Sequence, residues 1–262
     1  MEQQFGGEAS TAHYVYANYF YNNYYYGTDM FDKWEDIYLW ANIMESHRTA
    51  GAVTWWRGDP YPYLDNVNIV NNTFYNNGFT DGASDPVWTG FANQQAGATN
   101  FSLYNNISSE NRPDTTPRHQ FYFLGVETSD YNQVYHSSGT ASWYIGGDGG
   151  GERTLAQMQA LGKETNSDIE NPSFSDPSAH TVAGFEPGSS TSANDGTDKS
   201  GTVGTITLTG SAIGSYATTY TMDMKWIMAP TSVFSSTDPM AINIVLHDNS
   251  SSPERGAVAY VP

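Results

Sequence analysis

Apolar and polar residues alternate along the first half of this chain in a phrase that keeps returning. It first reads Val15-Tyr16-Ala17-Asn18-Tyr19-Phe20-Tyr21-Asn22-Asn23. It returns as Leu39-Trp40-Ala41-Asn42-Ile43-Met44, as Ile69-Val70-Asn71-Asn72-Thr73-Phe74-Tyr75-Asn76-Asn77, and as Leu103-Tyr104-Asn105-Asn106-Ile107. Positions 15, 39, 69 and 103 are equivalent, so the spacings are 24, 30 and 34 residues. Within a phrase the period is two, as in strands, not the 3.6 of a helix. Val67, Ile69 and Asn71 fall on one face, Asn68 and Val70 on the other. Each phrase predicts a short strand, an asparagine at a turn, and a second short strand.

Repeats of this length mark stacked units, none of which can bury its apolar face alone. Asparagine suits the turn because it tolerates the left-handed region better than other non-glycine residues. Stacking places Asn18, Asn42, Asn72 and Asn106 in one column, with a step of roughly 4.8 Å. Their amides can then hydrogen-bond along the stack. A β-sandwich with Asn-rich turns is the alternative, but it gives no reason for one asparagine to keep its register. A fifth, weaker unit is Asp130-Tyr131-Asn132-Gln133-Val134-Tyr135.

This pattern resembles the right-handed parallel β-helix repeat. The stretch from Asp130 through Trp143, Thr154-Leu155-Ala156-Gln157-Met158-Gln159-Ala160-Leu161-Gly162, Asn166-Ser167 and Asn171-Pro172-Ser173-Phe174-Ser175-Asp176 is similar to the end segment of many extracellular members. Arg255-Gly256-Ala257-Val258-Ala259-Tyr260 resembles their closing strand, with Glu254-Arg255 in place of Asp-Ile. The resemblance covers residues 12–178. It implies an all-β fold: a right-handed parallel β-helix, or solenoid, with one short flanking helix and a C-terminal β-rich tail. Polysaccharide lyases, glycoside hydrolases, phage tailspikes and adhesins share that architecture, which does not by itself choose among them.

The organisation follows: a lead-in over 1–12, coils and terminal segment over 13–178, a polar linker over 179–201, and a tail or cap over 202–262. Loops are expected at 24–36, 56–66, 78–100 and 111–120. Residues 152–162 predict a helix, with Leu155, Met158 and Leu161 on one face and Gly162 as its stop. Strand-like runs in the tail are Val203 to Leu208, Tyr216 to Met224 and Ala241 to Leu246. Twelve residues are little to cap a first coil. That suggests contact with another chain (a homo-oligomer, three-fold as in fibres, or end-to-end stacking) or a longer parent chain.

Composition narrows the partners. The net charge of −18 argues against duplex nucleic acid, which Lys and Arg must neutralise. It also repels a uniformly anionic polysaccharide unless calcium or a local arginine cluster intervenes; acidity serving solubility alone is the competing reading. No run approaches a membrane span. There is no cysteine, and tyrosine leads the aromatics with 19 residues. Met1-Glu2-Gln3-Gln4 lacks the basic and apolar regions of a leader, so export is expected after leader removal or by a route such as virion assembly. The expected location is extracellular or on a virion surface.

No catalytic signature stands out, and candidate chemistry rests on few residues. Between Lys33 and Arg153 the basic residues are Arg48, Arg57, Arg112 and Arg118. Register puts Arg48 and Arg112 in one column two coils apart, and His47 in a column with Asn77 and Asn111; Glu45 and Glu110 lie close by. Such a rim can bind a sugar acid, or simply form surface ion pairs such as Arg48–Glu45. If the chain is a lyase, Arg48 or Arg112 would neutralise the uronate, and a nearby Tyr, His47 or His119 would move the proton. Trp55, Trp56, Arg57, Arg118 and Trp88 are candidate sugar contacts; a pair such as Trp55-Trp56 sends one ring outward, unless both are buried under the following loop. Tyr61 and Tyr63 are weaker candidates. Asp195 and Asp198, with Asn194, have the oxygen-rich composition of a Ca²⁺ loop without its full spacing; a plain turn is the other reading, and Asp81 and Asp85 are further candidates. Two functions stay open: a polysaccharide-binding or -processing protein, and a non-catalytic spike, fibre or surface-layer subunit.

Overall fold

The computed structural model describes residues 13–16, 18–30, 35–54, 64–79, 89–112, 118–124, 128–146, 150–188, 196, 205–209 and 219–223. The described chain is mostly strand. It makes repeated three-strand circuits: β1 (His13–Tyr16), β2 (Tyr19–Tyr21), β3 (Tyr26–Met30); then β4 (Glu35–Trp40), β5 (Ile43–Glu45), β6 (Ala50–Thr54). The third circuit is β7 (Asp65–Val70), β8 (Thr73–Tyr75), β9 (Phe91–Asn93), and the fourth is β10 (Ser102–Tyr104), β11 (Ile107–Ser109), β12 (His119–Phe123). The fifth is β13 (Thr128–Asp130), β14 (Gln133–Tyr135), β15 (Ser142–Ile145), followed by β16 (Gly151–Arg153), α1 (Leu155–Ala160) and β17 (Asp168–Ile169).

Each circuit contributes one strand to each of three sheets. Their orders are β1-β4-β7-β10-β13, β17-β14-β11-β8-β5-β2 and β16-β15-β12-β9-β6-β3. Every neighbouring pair in them is parallel except β15–β16. The register is the one the sequence gives, with Val15 opposite Leu39, Leu39 opposite Ile69, and Ile69 opposite Leu103. Leu39, Ile69 and Leu103 meet Met44, Phe74 and Val134 of the second sheet and Ala52, Phe91, Phe121 and Trp143 of the third in one buried cluster. The apolar faces of all three sheets thus share one core.

The asparagine column forms as expected. Asn18, Asn42, Asn72 and Asn106 each donate from Nδ2 to the next Oδ1, at 3.1, 3.0, 3.1 and 3.1 Å, the last reaching Asn132. The left-handed residue, however, is the one before the column: Ala41, Asn71, Asn105 and Tyr131 have φ of 54°, 56°, 57° and 56°. The ladder asparagine itself is chosen for its amide, which must donate and accept at once. The column ends on Glu164, fully buried, which accepts from the Ser129 and Ser167 hydroxyls and, at 3.1 Å each, from Asn132 Nδ2 and Trp143 Nε1.

The expected loops are partly strand: β3 lies inside 24–36 and β9 inside 78–100. The reason is a close approach. A Cβ on Gly51 would sit 2.6 Å from the Gly90 carbonyl oxygen, and one on Gly27 would sit 2.4 Å from that of Gly51. Glycine here is a packing requirement that reads, in sequence, as a turn.

The helix is shorter than expected. Thr154 and Gln157 form a capping box at its start, and Gly162 at φ 71° follows its end. Met158 is buried, but Leu161 is 55% exposed, because it caps the helix instead of packing. In the tail, β18 (Thr205–Thr209) and β19 (Thr219–Asp223) pair antiparallel; the expected strand at 241–246 lies outside the described residues. No described helix is long and apolar enough to cross a membrane.

Candidate functional site

Two corners of the stack gather ionisable groups. The first lies where the second sheet gives way to the third, in the fourth and fifth circuits. Backbone bonds from Gly78 N–H to the His47 carbonyl and from Arg112 N–H to the Asn77 carbonyl put Arg48, Gly78 and Arg112 in succession, as the register predicts. Their side chains part company. The Arg48 guanidinium sits 4.8 Å from the ring centre of exposed Tyr24, an arrangement that favours cation–π attraction. Arg112 is 2% exposed, and its Nη1 lies 3.0 Å from Nε2 of fully buried His119.

An arginine can only donate, so His119 accepts at Nε2 and is neutral with its proton on Nδ1. Its ring lies 5.2 Å from that of Tyr144, which stacks on Tyr122 at 5.4 Å. Arg118, one residue before His119, repeats the motif: its Nη1 is 3.1 Å from His136 Nε2. His136 is buried, and Glu110 Oε2 stands 3.6 Å from its Nδ1 while also accepting from the Ser137 hydroxyl at 2.9 Å. Burial lowers the His136 pKa and Arg118 lowers it further, with the Glu110 charge opposing both. The cluster therefore holds two guanidinium groups against two imidazoles.

Of the expected site residues, the structure brings together Arg112, Arg118 and His119 with Glu110, which the register placed close by, and adds His136 and Tyr144. The register alone pairs Glu110 with His136, since Ser109 faces Tyr135. His47 stands apart, in a second amide column: its N–H donates to Asn77 Oδ1 at 2.9 Å, and Asn77 Nδ2 donates to Asn111 Oδ1 at 2.9 Å. Its Nδ1 accepts from the Asn23 N–H at 3.1 Å, and burial pushes its pKa down to about 4. Trp55, Trp56, Arg57, Tyr61, Tyr63, Asp81, Asp85, Trp88, Asn194, Asp195 and Asp198 lie outside the described residues. Among the described residues no group of three or more His, Asp or Glu side chains is placed to hold a metal ion.

Sequence places Glu45 beside Arg48, but the second corner it forms draws its partners from elsewhere. Glu45 is 1% exposed at the end of β5. In place of Arg48 it takes the Tyr19 hydroxyl on Oε2, and at 2.7 Å the Nδ1 of His180 on Oε1. His180 arrives from the segment after β17, whose Phe174, Val182 and Phe185 pack on Tyr19, Ile43 and Tyr75. No protein-family model, curated protein or solved structure matches the chain.

Proposed function

We propose that this chain is a right-handed parallel β-helix protein, exported or carried on a virion, that binds or processes polysaccharide. The cyclic order of strands through three parallel sheets and the amide column support the fold. The paired guanidinium–imidazole contacts, Arg112–His119 and Arg118–His136, carry the functional reading. In a chain of net charge −18 they gather positive charge locally, as an acidic sugar requires.

Arg118 is the more exposed of the two arginines and would meet the sugar carboxylate first. Where cleavage accompanies binding, the residues fit β-elimination. When Arg118 turns from His136 to the carboxylate it makes the neighbouring C–H more acidic and frees His136 Nε2 to take that proton, while the glycosidic C–O bond breaks and the departing oxygen is protonated. Calcium, trimerisation and end-to-end stacking remain part of the proposal through Asp195, Asp198 and the first coil.

A structural role is the second reading: Arg112 and His119 are 2% and 0% exposed, and the amide columns bind successive circuits together. The deciding experiment incubates the protein with alginate, pectate, chondroitin and neutral glycans, with and without calcium. Unsaturated product read by ultraviolet absorbance means a lyase. New reducing ends without it mean hydrolysis. Binding without either means a lectin-like role, and no binding to any of them supports the structural subunit.

A further inference from the structure

We propose that His180, held by Glu45 and Tyr19, is a general base toward acyl esters, at a site separate from the arginine corner. Glu45 shares its column with Tyr21, Tyr75, Ser109 and Tyr135, all neutral. Burying a carboxylate is costly unless it is paired. The segment carrying His180 is already anchored by Phe185, which is fully buried. A neutral partner would close that contact at less cost, so anchoring alone does not explain the charge.

What the charge does is orient an imidazole. The Tyr19 hydroxyl donates to Oε2, and burial, then the Glu45 hydrogen bond, raises its pKa, so it stays a donor. That leaves Oε1 to hold His180 Nδ1 at 2.7 Å. His180 sits at φ 52°, a left-handed conformation that a histidine adopts at a cost. Its side chain is 45% exposed, and Nε2 makes no hydrogen bond to a described residue. The Nδ1–H tautomer therefore leaves a lone pair on Nε2 of a half-exposed ring. This is the chain of orientation a general base requires: a base within reach of substrate, and a second group fixing its tautomer. The Tyr21 ring, 43% exposed and 4.6 Å from the imidazole, offers a face for the substrate's apolar part.

In the step, Nε2 takes a proton from water as the water oxygen attacks the ester carbonyl carbon. The tetrahedral intermediate expels the alkoxide, which receives that proton from Nε2. Ester and water become acid and alcohol, with no further reagent. His180 is the catalytic residue; Glu45 and Tyr19 are positioning residues.

The test uses the full chain and p-nitrophenyl acetate, following release of p-nitrophenolate. His180→Gln should lower the rate at least about tenfold, within what general base catalysis supplies. Glu45→Gln, which keeps the shape, should lower it similarly, and Glu45→Asp should restore part of it. The His180 Nδ1 proton resonance should be visible in the wild type and lost in Glu45→Gln. Thr99→Ala, an exposed change whose hydroxyl bonds Asp65 on the first sheet, serves as the control and should hydrolyse the ester at the wild-type rate. A wild-type rate in His180→Gln, or in Glu45→Gln with the resonance retained, would overturn the assignment.

Discussion

Truncating one ladder asparagine tests the physical account of this fold most directly. Asn72 Oδ1 accepts from both the backbone N–H and the Nδ2 of Asn42, each at 3.0 Å. Its own Nδ2 donates to the Leu39 carbonyl at 2.8 Å, the Val70 carbonyl at 3.1 Å and Asn106 Oδ1 at 3.1 Å. Asn72→Ala removes all five. Val70 keeps a donor in the Ala41 N–H, and Asn42 Nδ2 keeps the Val15 and Trp40 carbonyls. The Asn42 backbone N–H, in a fully buried residue, loses its acceptor. An orphaned buried donor costs about 1–3 kcal/mol, and the weakened carbonyls and the void left by the amide add a comparable amount. The expected loss is about 3–4 kcal/mol. Urea unfolding followed by the fluorescence of buried Trp40 and Trp143 would read this as a midpoint about 1 M lower, for a slope near 3 kcal/mol/M. Asn72→Leu, which fills the space but cannot bond, should lose at least as much. Thr99→Ala removes one exposed bond to Asp65, so it should change stability by less than about 0.5 kcal/mol. A loss in Asn72→Ala no larger than in Thr99→Ala would refute the ladder as a source of stability.

Further predictions concern charge and packing. The folded pKa of His47, about 4, lies below the ordinary histidine value, so its neutral form contributes stability that is complete above about pH 6.5 and fades as pH falls through 4. That contribution is about 3 kcal/mol, and His47→Asn, which restores an amide to the column, should flatten the pH dependence of the urea midpoint over this range. Glu164 is shifted the other way: burial, against its hydroxyl and amide donors, raises its pKa. Its contribution is therefore complete below the unfolded carboxyl value and is lost as pH rises through the folded one, a slope that Glu164→Gln should remove in the same titration. Gly51→Ala should cost about 3 kcal/mol, because its Cβ meets backbone that cannot yield, and calorimetry would show it as a lowered Tm. Arg118→Ala should weaken binding of an acidic polysaccharide at least about tenfold, or about 1.4 kcal/mol, in a titration at low salt, and leave neutral glycans unaffected.

Part of this molecule was legible because one chemical demand repeats. A buried turn that must both accept and donate at each circuit admits few side chains, so Asn18, Asn42, Asn72, Asn106 and Asn132 announce their own register. That register carried over to the pairing of Arg48 with Arg112 and of His47 with Asn77. The third sheet was hidden because Gly27, Gly51 and Gly90 meet a steric limit between circuits, while in sequence glycine marks turns. The Glu45–His180 contact joins residues 135 apart, by a segment with no repeat of its own, and no local pattern encodes it.

The two ionisable corners share a logic that the ladders explain. A parallel stack repeats each position every circuit, so a charge placed on it is followed by its equivalent about one strand spacing away. Like charges so placed repel, and the two ionisable corners avoid this: Glu45 is followed by Tyr75 and Ser109, and Arg48 by Gly78 before Arg112. For buried Glu45 and Arg112 the partner comes from outside the column. Glu45 takes His180 from the segment after β17, and Arg112 takes His119 from the next strand of its circuit. The columns themselves stay neutral because the amides already satisfy one another. A buried ionic contact on this frame therefore reports a demand from outside the stack, and both corners where it occurs are the places to look for ligand.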